Sequence, residues 1–371
     1  MDLAVNGLRL TGKRFGVGRY VEYLLRHWGT AERLPFDRIK VYTPHKIEPT
    51  AEIPEGFEPH VIPAPGPNGL WEQVFLPWHH HPGDLLFCPS YTVPLAARGK
   101  IVVTHLGSYE AVPHEFAWRD RLKTRILYQL SARKAHRVIT VSDSSKHDIQ
   151  RYYGIPEAKV RVIPLGVDPA FRPLNRDDLN DAVRLRFFGT PQPYILFVGK
   201  LSRRRNIPDL IRAFGMLRSE NGTTHGLLLV GENTVGYDLN ALARASGVEG
   251  LVQHVPFATH TELVGIYNAA ELFVYPSSYE GFGIPVLEAM ACGVPTITLN
   301  NTAFREFAKD AAILADNGSA EAMYPAMAKV LQSQEIRHEM SARGLRRAER
   351  FGWAGIAQRT MDVLAEVAGV S

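Results

Sequence analysis

Residues 275–293, YPSSYEGFGIPVLEAMACG, carry the strongest fold signal in the chain. The apolar run ELFVY at 271–275 predicts a buried strand, and the serines and glycines of 277–283 predict a loop. Pro285 suits the first turn of a helix, which Gly293 would end. The predicted unit is therefore strand, glycine loop and helix. The start of such a helix directs backbone N–H groups and a positive dipole end at one point, which favours a phosphate or another anion.

Two carboxylates flank this predicted anion site. Glu280 lies in the loop and Glu288 lies in the helix, eight positions later. A phosphate site between two carboxylates fits a ligand with a diphosphate and several hydroxyls, which describes a nucleotide sugar. The alternative is an ordinary turn with surface glutamates, but propensity alone does not require Gly-Phe-Gly after the first carboxylate.

The stretch from Glu280 to Gly293, EGFGIPVLEAMACG, resembles the signature of two glutamates separated by seven residues in retaining GT-B glycosyltransferases, glycosyltransferase family 4. The resemblance covers almost the whole chain. It implies an α/β fold with two Rossmann-like domains that face a central cleft. It also implies that the second domain binds the donor sugar nucleotide and the first binds the acceptor.

The length and composition agree with two globular domains. The chain has 371 residues, of which 45% are hydrophobic and 22% charged. The segment 171–193 is rich in Pro, Asn, Asp and Arg, which predicts a linker. We therefore expect an N-terminal acceptor domain at 1–170 and a C-terminal nucleotide-sugar domain at 194–352. The resemblance implies that the last helix, 353–371, crosses back onto the first domain.

Short apolar runs separated by loops and helical segments predict an open α/β sheet in the first domain. The predicted strands there lie at 1–10, 38–43, 59–62, 84–88, 101–105 and 138–142.

A cluster of fixed cations follows the first predicted strand of the second domain. The strand YILFVG ends at Gly199, and Lys200 and Arg205 come directly behind it. Cations at a strand's carboxyl end suit a diphosphate. The family pattern has arginine at the position of Lys200 and lysine at that of Arg205. This chain therefore exchanges the planar guanidinium of arginine and the compact ammonium of lysine between the two positions. The alternative is a basic surface turn.

Two residues of the first domain are candidates for ligand contact. Glycines 12, 16 and 18 precede an amphipathic run, and the resemblance places Gly16 in a loop that closes on the donor phosphate or acceptor; a tight turn is an equal alternative. His105 ends the run 101–105, at the edge where α/β sheets bind ligands, and is a candidate sugar contact. The family has an aspartate next, whereas this chain has Leu106. An ordinary loop histidine is the alternative.

The resemblance implies specific roles for these residues. Glu280 binds and orients the donor sugar, Glu288 binds the ribose, and the backbone near Val255 holds the nucleobase. The leaving phosphate takes the acceptor's proton, while the cations stabilise its charge. The expected catalytic residues are Glu280, His105, Lys200 and Arg205. The expected donor-binding residues are Gly16, Lys200, Arg205, Val255, Glu280, Gly281, Phe282, Gly283, Ile284 and Glu288.

We expect no cofactor and no metal ion. The chain contains no pair of aspartates separated by one residue. Such a pair usually coordinates the divalent cation that binds the donor diphosphate. The donor is expected to carry UDP in preference to GDP. The acceptor is expected to be a saccharide or a lipid-linked sugar in polysaccharide or glycolipid biosynthesis, and nucleic acid is not implied.

A basic helix is predicted at 117–137, where seven Lys and Arg residues surround a leucine and isoleucine spine. Such a helix can lie on an anionic membrane, and a solvated helix face is an equal alternative. The N-terminus shows no leader pattern and no long apolar stretch occurs. Only Cys88 and Cys292 are present, in different predicted domains, which suits a reducing compartment. A cytoplasmic protein is therefore expected.

Three other functions share parts of this pattern. A nucleotide-sugar epimerase of GT-B fold would need acid and base groups at the sugar. A phosphorylase would need the sequence context of a cofactor lysine, which the chain does not show. A non-catalytic sugar-binding module with two α/β lobes would not need the cations at 200 and 205, and assaying hydrolysis of a nucleotide sugar would distinguish it from an enzyme.

Overall fold

The computed structural model describes residues 1–11, 16–47, 53–107, 118–174 and 177–370, without the side chains of 118–121 and 123. The chain divides into two compact units. Unit 1 comprises Met1–Gly166 and Trp353–Ser371, and unit 2 comprises Val167–Gly352.

Unit 1 is built on a parallel sheet of seven strands. The strands are β1 Leu3–Asn6, β2 Ile39–Thr43, β3 Glu58–Val61, β4 Leu85–Cys88, β5 Ile101–His105, β6 Arg137–Thr140 and β7 Val160–Val162. Their order across the sheet is β3-β2-β1-β4-β5-β6-β7, and every neighbouring pair is parallel. Every residue of β1, β4 and β5 is buried, as expected of a parallel sheet whose faces are covered.

Helices connect these strands. They are α1 Val17–Gly29, α2 Asn68–Leu70, α3 Leu76–His79, α4 Trp118–Lys134 and α5 Asp143–Tyr153, with a π-helical segment, Trp71–Phe75, between α2 and α3. The predicted first strand is shorter than 1–10, because it ends at Asn6 and a 3-10 turn follows at Leu8–Leu10. The other predicted strands of unit 1 are confirmed to within two residues at either end.

Unit 2 repeats the architecture with a parallel sheet of six strands. They are β8 Tyr194–Val198, β9 Gly226–Val230, β10 Val252–Val255, β11 Leu272–Tyr275, β12 Thr296–Leu299 and β13 Ile313–Ala315. Their order is β10-β9-β8-β11-β12-β13. The helices of unit 2 are α6 Asp177–Phe188, α7 Ile207–Asn221, α8 Leu239–Ala245, α9 His260–Ala269, α10 Ile284–Ala291, α11 Thr302–Phe307, α12 Ala320–Gln332 and α13 Gln334–Ala348.

The segment 171–193, expected to be a linker, instead contains α6 and belongs to unit 2, which begins at Val167. The helix has no fully buried residue. It is attached by polar contacts, since Arg184 Nε donates to the Ala269 carbonyl at 3.0 Å and Arg186 pairs with Glu262 at 2.9 Å. A helix held in this way lacks the apolar stripe by which a sequence reveals a helix.

The last helix, α14 Trp353–Ala368, packs within unit 1 against α1. The Trp28 indole donates to the Ala357 carbonyl at 3.0 Å. The Trp353 ring stacks on Tyr23 with 4.8 Å between centroids. Both predicted thiols, Cys88 in unit 1 and Cys292 in unit 2, are free and buried. Among the described residues, no helix is both long enough and apolar enough to cross a bilayer.

Trp353→Ala should destabilise unit 1 strongly. The side chain is 4% exposed, and removing a buried tryptophan costs roughly 3–5 kcal/mol. Trp78→Ala is the matched control, because Trp78 in the same unit is 82% exposed. Urea unfolding followed by circular dichroism measures both. Equal losses in the two variants would contradict this packing of α14.

Candidate active site

Four neighbouring strands of unit 2 bring the candidate residues to one edge of the sheet. Because β8, β9, β10 and β11 are parallel, their carboxyl ends share that edge. The segment 199–205 follows β8, Gly231 and Glu232 follow β9, Val255 ends β10, and the glycine loop follows β11. The sequence-predicted residues of the second domain therefore lie together.

The glycine loop passes from β11 into α10 as predicted, and its last residue must be glycine. Gly283 has φ of +100°, in the left-handed region. A Cβ atom there would lie 2.4 Å from a ring carbon of Phe304. Ile284 begins α10 directly afterwards, with Pro285 in its first turn. The helix α10 therefore begins close after the carboxyl end of β11, and the positive end of its dipole lies on that side of the sheet.

Glu280 is held by four side chains at this edge, all of which contact its Oε1. Tyr275 and Ser277 donate hydroxyl hydrogen bonds of 2.9 and 3.0 Å. The guanidinium groups of Arg204 and Arg205 lie 2.8 and 3.3 Å away. Burial opposes ionisation, but the two arginines and the Tyr275 hydroxyl outweigh it and hold the pKa of Glu280 below its ordinary value. Glu280 is therefore a charged, fixed carboxylate whose Oε2 takes no part in these contacts.

The Arg205 side chain is seated by the backbone that follows β8. Its Nη1 donates to the Lys200 carbonyl at 2.7 Å, and its guanidinium lies 5.5 Å from the Tyr275 ring centroid. Gly199, with φ of +149°, leaves room for it, because a Cβ there would lie 2.8 Å from Nη1. The Arg205 side chain is thus held in its ion pair with Glu280 and is largely shielded from solvent.

Lys200 and Arg205 differ in availability. The Lys200 side chain is 64% exposed, and its ammonium lies 3.5 Å from an oxygen of Glu232, which is exposed as well. An exposed pair of this kind contributes little to stability and separates easily. Lys200 is therefore the more accessible of these two cations, and diphosphate binding by either stays a prediction.

Glu288 is buried on α10, and one of its oxygens is held inside the unit. The Tyr267 hydroxyl donates to its Oε2 at 3.0 Å. Burial raises the pKa of Tyr267 well above its ordinary value, and the neighbouring Glu288 charge raises it further. The tyrosine therefore remains a hydrogen-bond donor throughout the neutral pH range.

The end of β10 presents backbone and an aromatic ring. The Val255 carbonyl accepts from Gly231 N at 2.8 Å, which fixes the strand end against β9. Two residues later, the Phe257 side chain is 64% exposed. A large apolar ring is therefore exposed at this edge, within the segment that the resemblance assigns to the nucleobase.

Unit 1 contains the two remaining candidates. Gly16 directly precedes α1 with φ of +44°, and its carbonyl accepts from Tyr20 N at 3.0 Å. Gly12 lies outside the described residues. His105 ends β5 and is fully buried, with its ring edge-on to Tyr91 and Tyr128 at 5.6 Å each. Burial lowers its pKa to about 3. Neither ring nitrogen has a hydrogen-bond partner among the described residues, and the ring faces tyrosines rather than solvent.

Comparison with known proteins shows which family the chain belongs to. The family profile described as Glycosyltransferase Family 4 matches residues 16–171, and the one described as Glycosyl transferases group 1 matches 185–347. The O-antigen chain mannosyltransferase B of Escherichia coli is 30% identical over 277 residues, which are 74% of this chain and 72% of that protein. The chain belongs to the GT-B glycosyltransferases of family 4.

Further relatives of the glycosyltransferase share its fold. The mannosylfructose-phosphate synthase of Agrobacterium fabrum is 28% identical over 261 residues, and the chain spans only 56% of that protein. A sucrose-phosphate synthase from Thermosynechococcus elongatus matches with TM-score 0.77 and 20% identity over 99% of this chain and 98% of that one. Anabaena HepE in complex with UDP-glucose matches with TM-score 0.79 and 18% identity over 99% and 100%. At these identities the solved structures establish the two-domain α/β GT-B fold alone.

Four side chains that fix the glutamates of the glycosyltransferase were missed in the sequence. In the sequence, Tyr275 is only the end of a predicted strand, Ser277 is a residue of the predicted loop, and Arg204 is one of three consecutive arginines. Tyr267 lies in another helix, 21 positions before Glu288. Three consecutive arginines after one strand and a glutamate after the neighbouring strand could have predicted the contact of Arg204 with Glu280. The contact of Tyr267 with Glu288 depends on tertiary packing alone.

A further buried carboxylate in unit 1 was also missed. Glu72 lies in the π-helical segment and accepts from Asn6 Nδ2 at 2.8 Å and from Thr92 Oγ1 at 2.6 Å. Burial raises its pKa. Asn6 ends β1, so this network lies at the carboxyl edge of the unit 1 sheet. Local π-helical geometry is frequent at functional sites, and no sequence period reveals it.

The acid sensitivity of unit 1 should depend on His105. Its folded pKa of about 3 lies below the unfolded value near 6.5, so its stabilising effect is complete above pH 6.5 and is lost as the pH falls. Between pH 6.5 and about pH 5 the free energy of unfolding should fall by roughly 2 kcal/mol through this effect. In His105→Phe the free energy of unfolding should not show this part of the decrease. Urea unfolding near neutral pH and near pH 5 measures it, and equal acid losses in both proteins would show that His105 is not buried as a neutral ring.

Proposed function

We propose that the glycosyltransferase moves a hexosyl unit from a nucleoside diphosphate hexose to a saccharide or lipid-linked acceptor, with retention of anomeric configuration. The observation that carries this proposal is the ionised Glu280, whose side chain is only 12% exposed, at the carboxyl edge of the unit 2 sheet. It is fixed by two arginines and lies eight positions before Glu288, in the loop that enters α10. A fixed carboxylate beside a helix N-terminus suits a sugar joined to a phosphate.

The transfer itself requires stabilisation of the leaving group. The bond from the anomeric carbon to the diphosphate oxygen breaks, and the acceptor oxygen bonds to the same face of that carbon. The acceptor's proton passes to the leaving phosphate, so no protein base is needed. The exposed ammonium of Lys200 and the N-terminus of α10 stabilise the negative charge that grows on the leaving diphosphate. Arg205, which pairs with Glu280, adds to this stabilisation.

The two glutamates have separate tasks in this proposal. The contacts that fix Glu280 converge on Oε1, so Oε2 is the oxygen assigned to the sugar hydroxyls. Glu288 is anchored by Tyr267 through Oε2, and we assign its carboxylate to the ribose diol. Charged acceptors strengthen both sets of hydrogen bonds.

For the nucleotide we propose UDP in preference to GDP. The complex of Anabaena HepE with UDP-glucose, at TM-score 0.79, supports a uridine nucleotide. Phe257, exposed two residues after Val255, offers a face on which a base can stack. The relatives named as mannosyltransferases make mannose the first hexose to test.

The same comparisons support a proposal for the acceptor, and the surface of α4 supports one for the cellular location. The name of the Escherichia coli relative, which refers to an O-antigen chain, supports a saccharide or lipid-linked acceptor in polysaccharide or glycolipid biosynthesis. We place the enzyme in the cytoplasm, in peripheral contact with an anionic membrane through residues 117–137. The exposed Leu122, Ile126 and Leu130 on α4 support that contact.

The proposed activity predicts slow hydrolysis of the donor when no acceptor is present. The purified enzyme should release nucleoside diphosphate from UDP or GDP hexoses, and EDTA should leave the rate unchanged because fixed cations replace a metal ion. Chromatography of the nucleotides and NMR of the sugar anomer measure release and retention. Conversion of the donor sugar without nucleotide release would indicate an epimerase. Inactivity towards every donor would refute the proposal, and an EDTA loss restored by magnesium would refute metal independence.

The two glutamates should fail in different ways when changed to glutamine. Glu280→Gln should bind free nucleoside diphosphate almost as the parent does but slow transfer strongly, because the sugar is no longer held for attack. Glu288→Gln should weaken nucleotide binding by roughly 1.5–3 kcal/mol, about ten- to a hundredfold in Kd. Calorimetry and steady-state kinetics measure both.

Glu249→Gln is the matched control for these variants, because Glu249 in the same unit is exposed and pairs only with Arg244 among the described residues. Glu249→Gln should alter neither the nucleotide affinity nor the rate of transfer. Loss of nucleotide affinity in Glu280→Gln with intact affinity in Glu288→Gln would reverse the assigned roles.

A further inference from the structure

A groove of about 590 Å³ lies on unit 1, away from the carboxyl edge of its sheet. We call it the basic groove and define it by its titratable lining residues, Arg133, Lys134, His136, Arg137, Lys159 and Arg161. Arg133 and Lys134 end α4, while Arg137 begins β6 and Lys159 directly precedes β7. The groove therefore lies at the amino ends of the strands, the opposite edge from His105 and Asn6. It is separate from the edge at which a parallel sheet binds its substrates.

Positive charge in the basic groove is only partly compensated. Glu366 pairs with Arg137 at 2.6 Å and with Arg161 at 3.5 Å. Among the described residues, no carboxylate lies within ion-pair distance of Arg133, Lys134 or Lys159. Burial and the nearby Arg137 lower the pKa of Lys159, whose ammonium donates to the Arg133 carbonyl at 2.6 Å. Crowded cations in a concave surface favour a bound anion, which relieves their mutual repulsion.

An exposed apolar stripe runs along α4 to the lip of this groove. Leu122, Ile126 and Leu130 are 52%, 51% and 43% exposed and repeat every four residues, so they share one helix face. The next positions on that face are 133 and 134, which line the groove. A membrane surface presents acyl chains next to phosphate groups. Apolar side chains suit the acyl chains, and the clustered cations beside them suit the phosphate groups.

We propose that the basic groove binds the phosphate groups of anionic lipid headgroups while Leu122, Ile126 and Leu130 enter the acyl boundary. The inference rests on the membrane contact proposed above and adds a defined headgroup site to it. A soluble phosphate compound offers the same chemistry, but it would not account for the apolar stripe beside the groove. The charge and the stripe together favour a lipid surface.

The full-length protein is tested by sedimentation with vesicles of phosphatidylcholine alone or mixed with phosphatidylglycerol. The groove variant is Arg133→Gln with Lys134→Gln, and the stripe variant changes Leu122, Ile126 and Leu130 to glutamine. The control is Arg98→Gln with Arg151→Gln, which removes the same charge from exposed positions of unit 1 outside the groove. Thermal unfolding and donor hydrolysis check that every variant is folded.

The parent should sediment with the anionic vesicles only. The groove variant should bind them about tenfold or more weakly, and the control less than threefold more weakly. The stripe variant should also lose affinity. If the parent does not sediment, the membrane contact and the headgroup site both fail. If only the stripe variant loses binding, the membrane contact stands and the headgroup site is refuted.

A calorimetric titration with inorganic pyrophosphate distinguishes the two phosphate sources. Weak binding that is the same in parent and groove variant agrees with a lipid site. Tight pyrophosphate binding that the groove variant loses, with unchanged vesicle binding, would assign the groove to a soluble anion and overturn the proposal.

Discussion

The carboxyl edge of the unit 2 sheet in this glycosyltransferase depends on one largely buried charge. Glu280 is largely removed from water, which by itself would favour its neutral form, and Arg204, Arg205 and the Tyr275 hydroxyl reverse that preference. Removing one partner would leave a buried charge uncompensated, so the loop, the turn after β8 and the end of β11 are coupled. The glycines at 199 and 283 serve this arrangement, because each lets a side chain approach where a Cβ would block it.

Parallel sheets explain why such a site can form at all. In each unit the strands end at a common edge, so residues far apart in sequence follow neighbouring strands and meet there. In unit 2 this brings 199–205, Val255 and the loop before α10 together. In unit 1 it brings the end of β1, with Asn6 and Glu72, to the same kind of edge as His105. The opposite edge of unit 1 carries a different surface, rich in cations, and is available for a different ligand.

The sequence predicts most of the fold and selects the two glutamates of the candidate site, but not all of the side chains that hold them. Strands with continuous apolar runs, such as β8 and β11, are recognisable, and so is the loop with Glu280 and Glu288. The α6 helix is not recognisable, because polar contacts hold it and its composition resembles a linker. The partners of Glu280 and Glu288 are also hidden, since Tyr275 and Tyr267 look like ordinary core residues until the fold places them. His105 is recognised by position, but its complete burial among tyrosines follows only from packing.

The most direct test of this account is the ionisation of Glu280 itself. An infrared or carbon-13 NMR titration of the protein with labelled glutamate, compared with Glu280→Gln, isolates the signal of this one carboxyl group. An ordinary glutamate has a pKa of about 4.3, and we predict that Glu280 titrates below that value. In Arg204→Gln and in Arg205→Gln the titration midpoint of Glu280 should move upward. A midpoint at or above the ordinary value in the parent protein would mean that burial outweighs the arginines, and the proposed role of Glu280 as a fixed charged acceptor would be wrong.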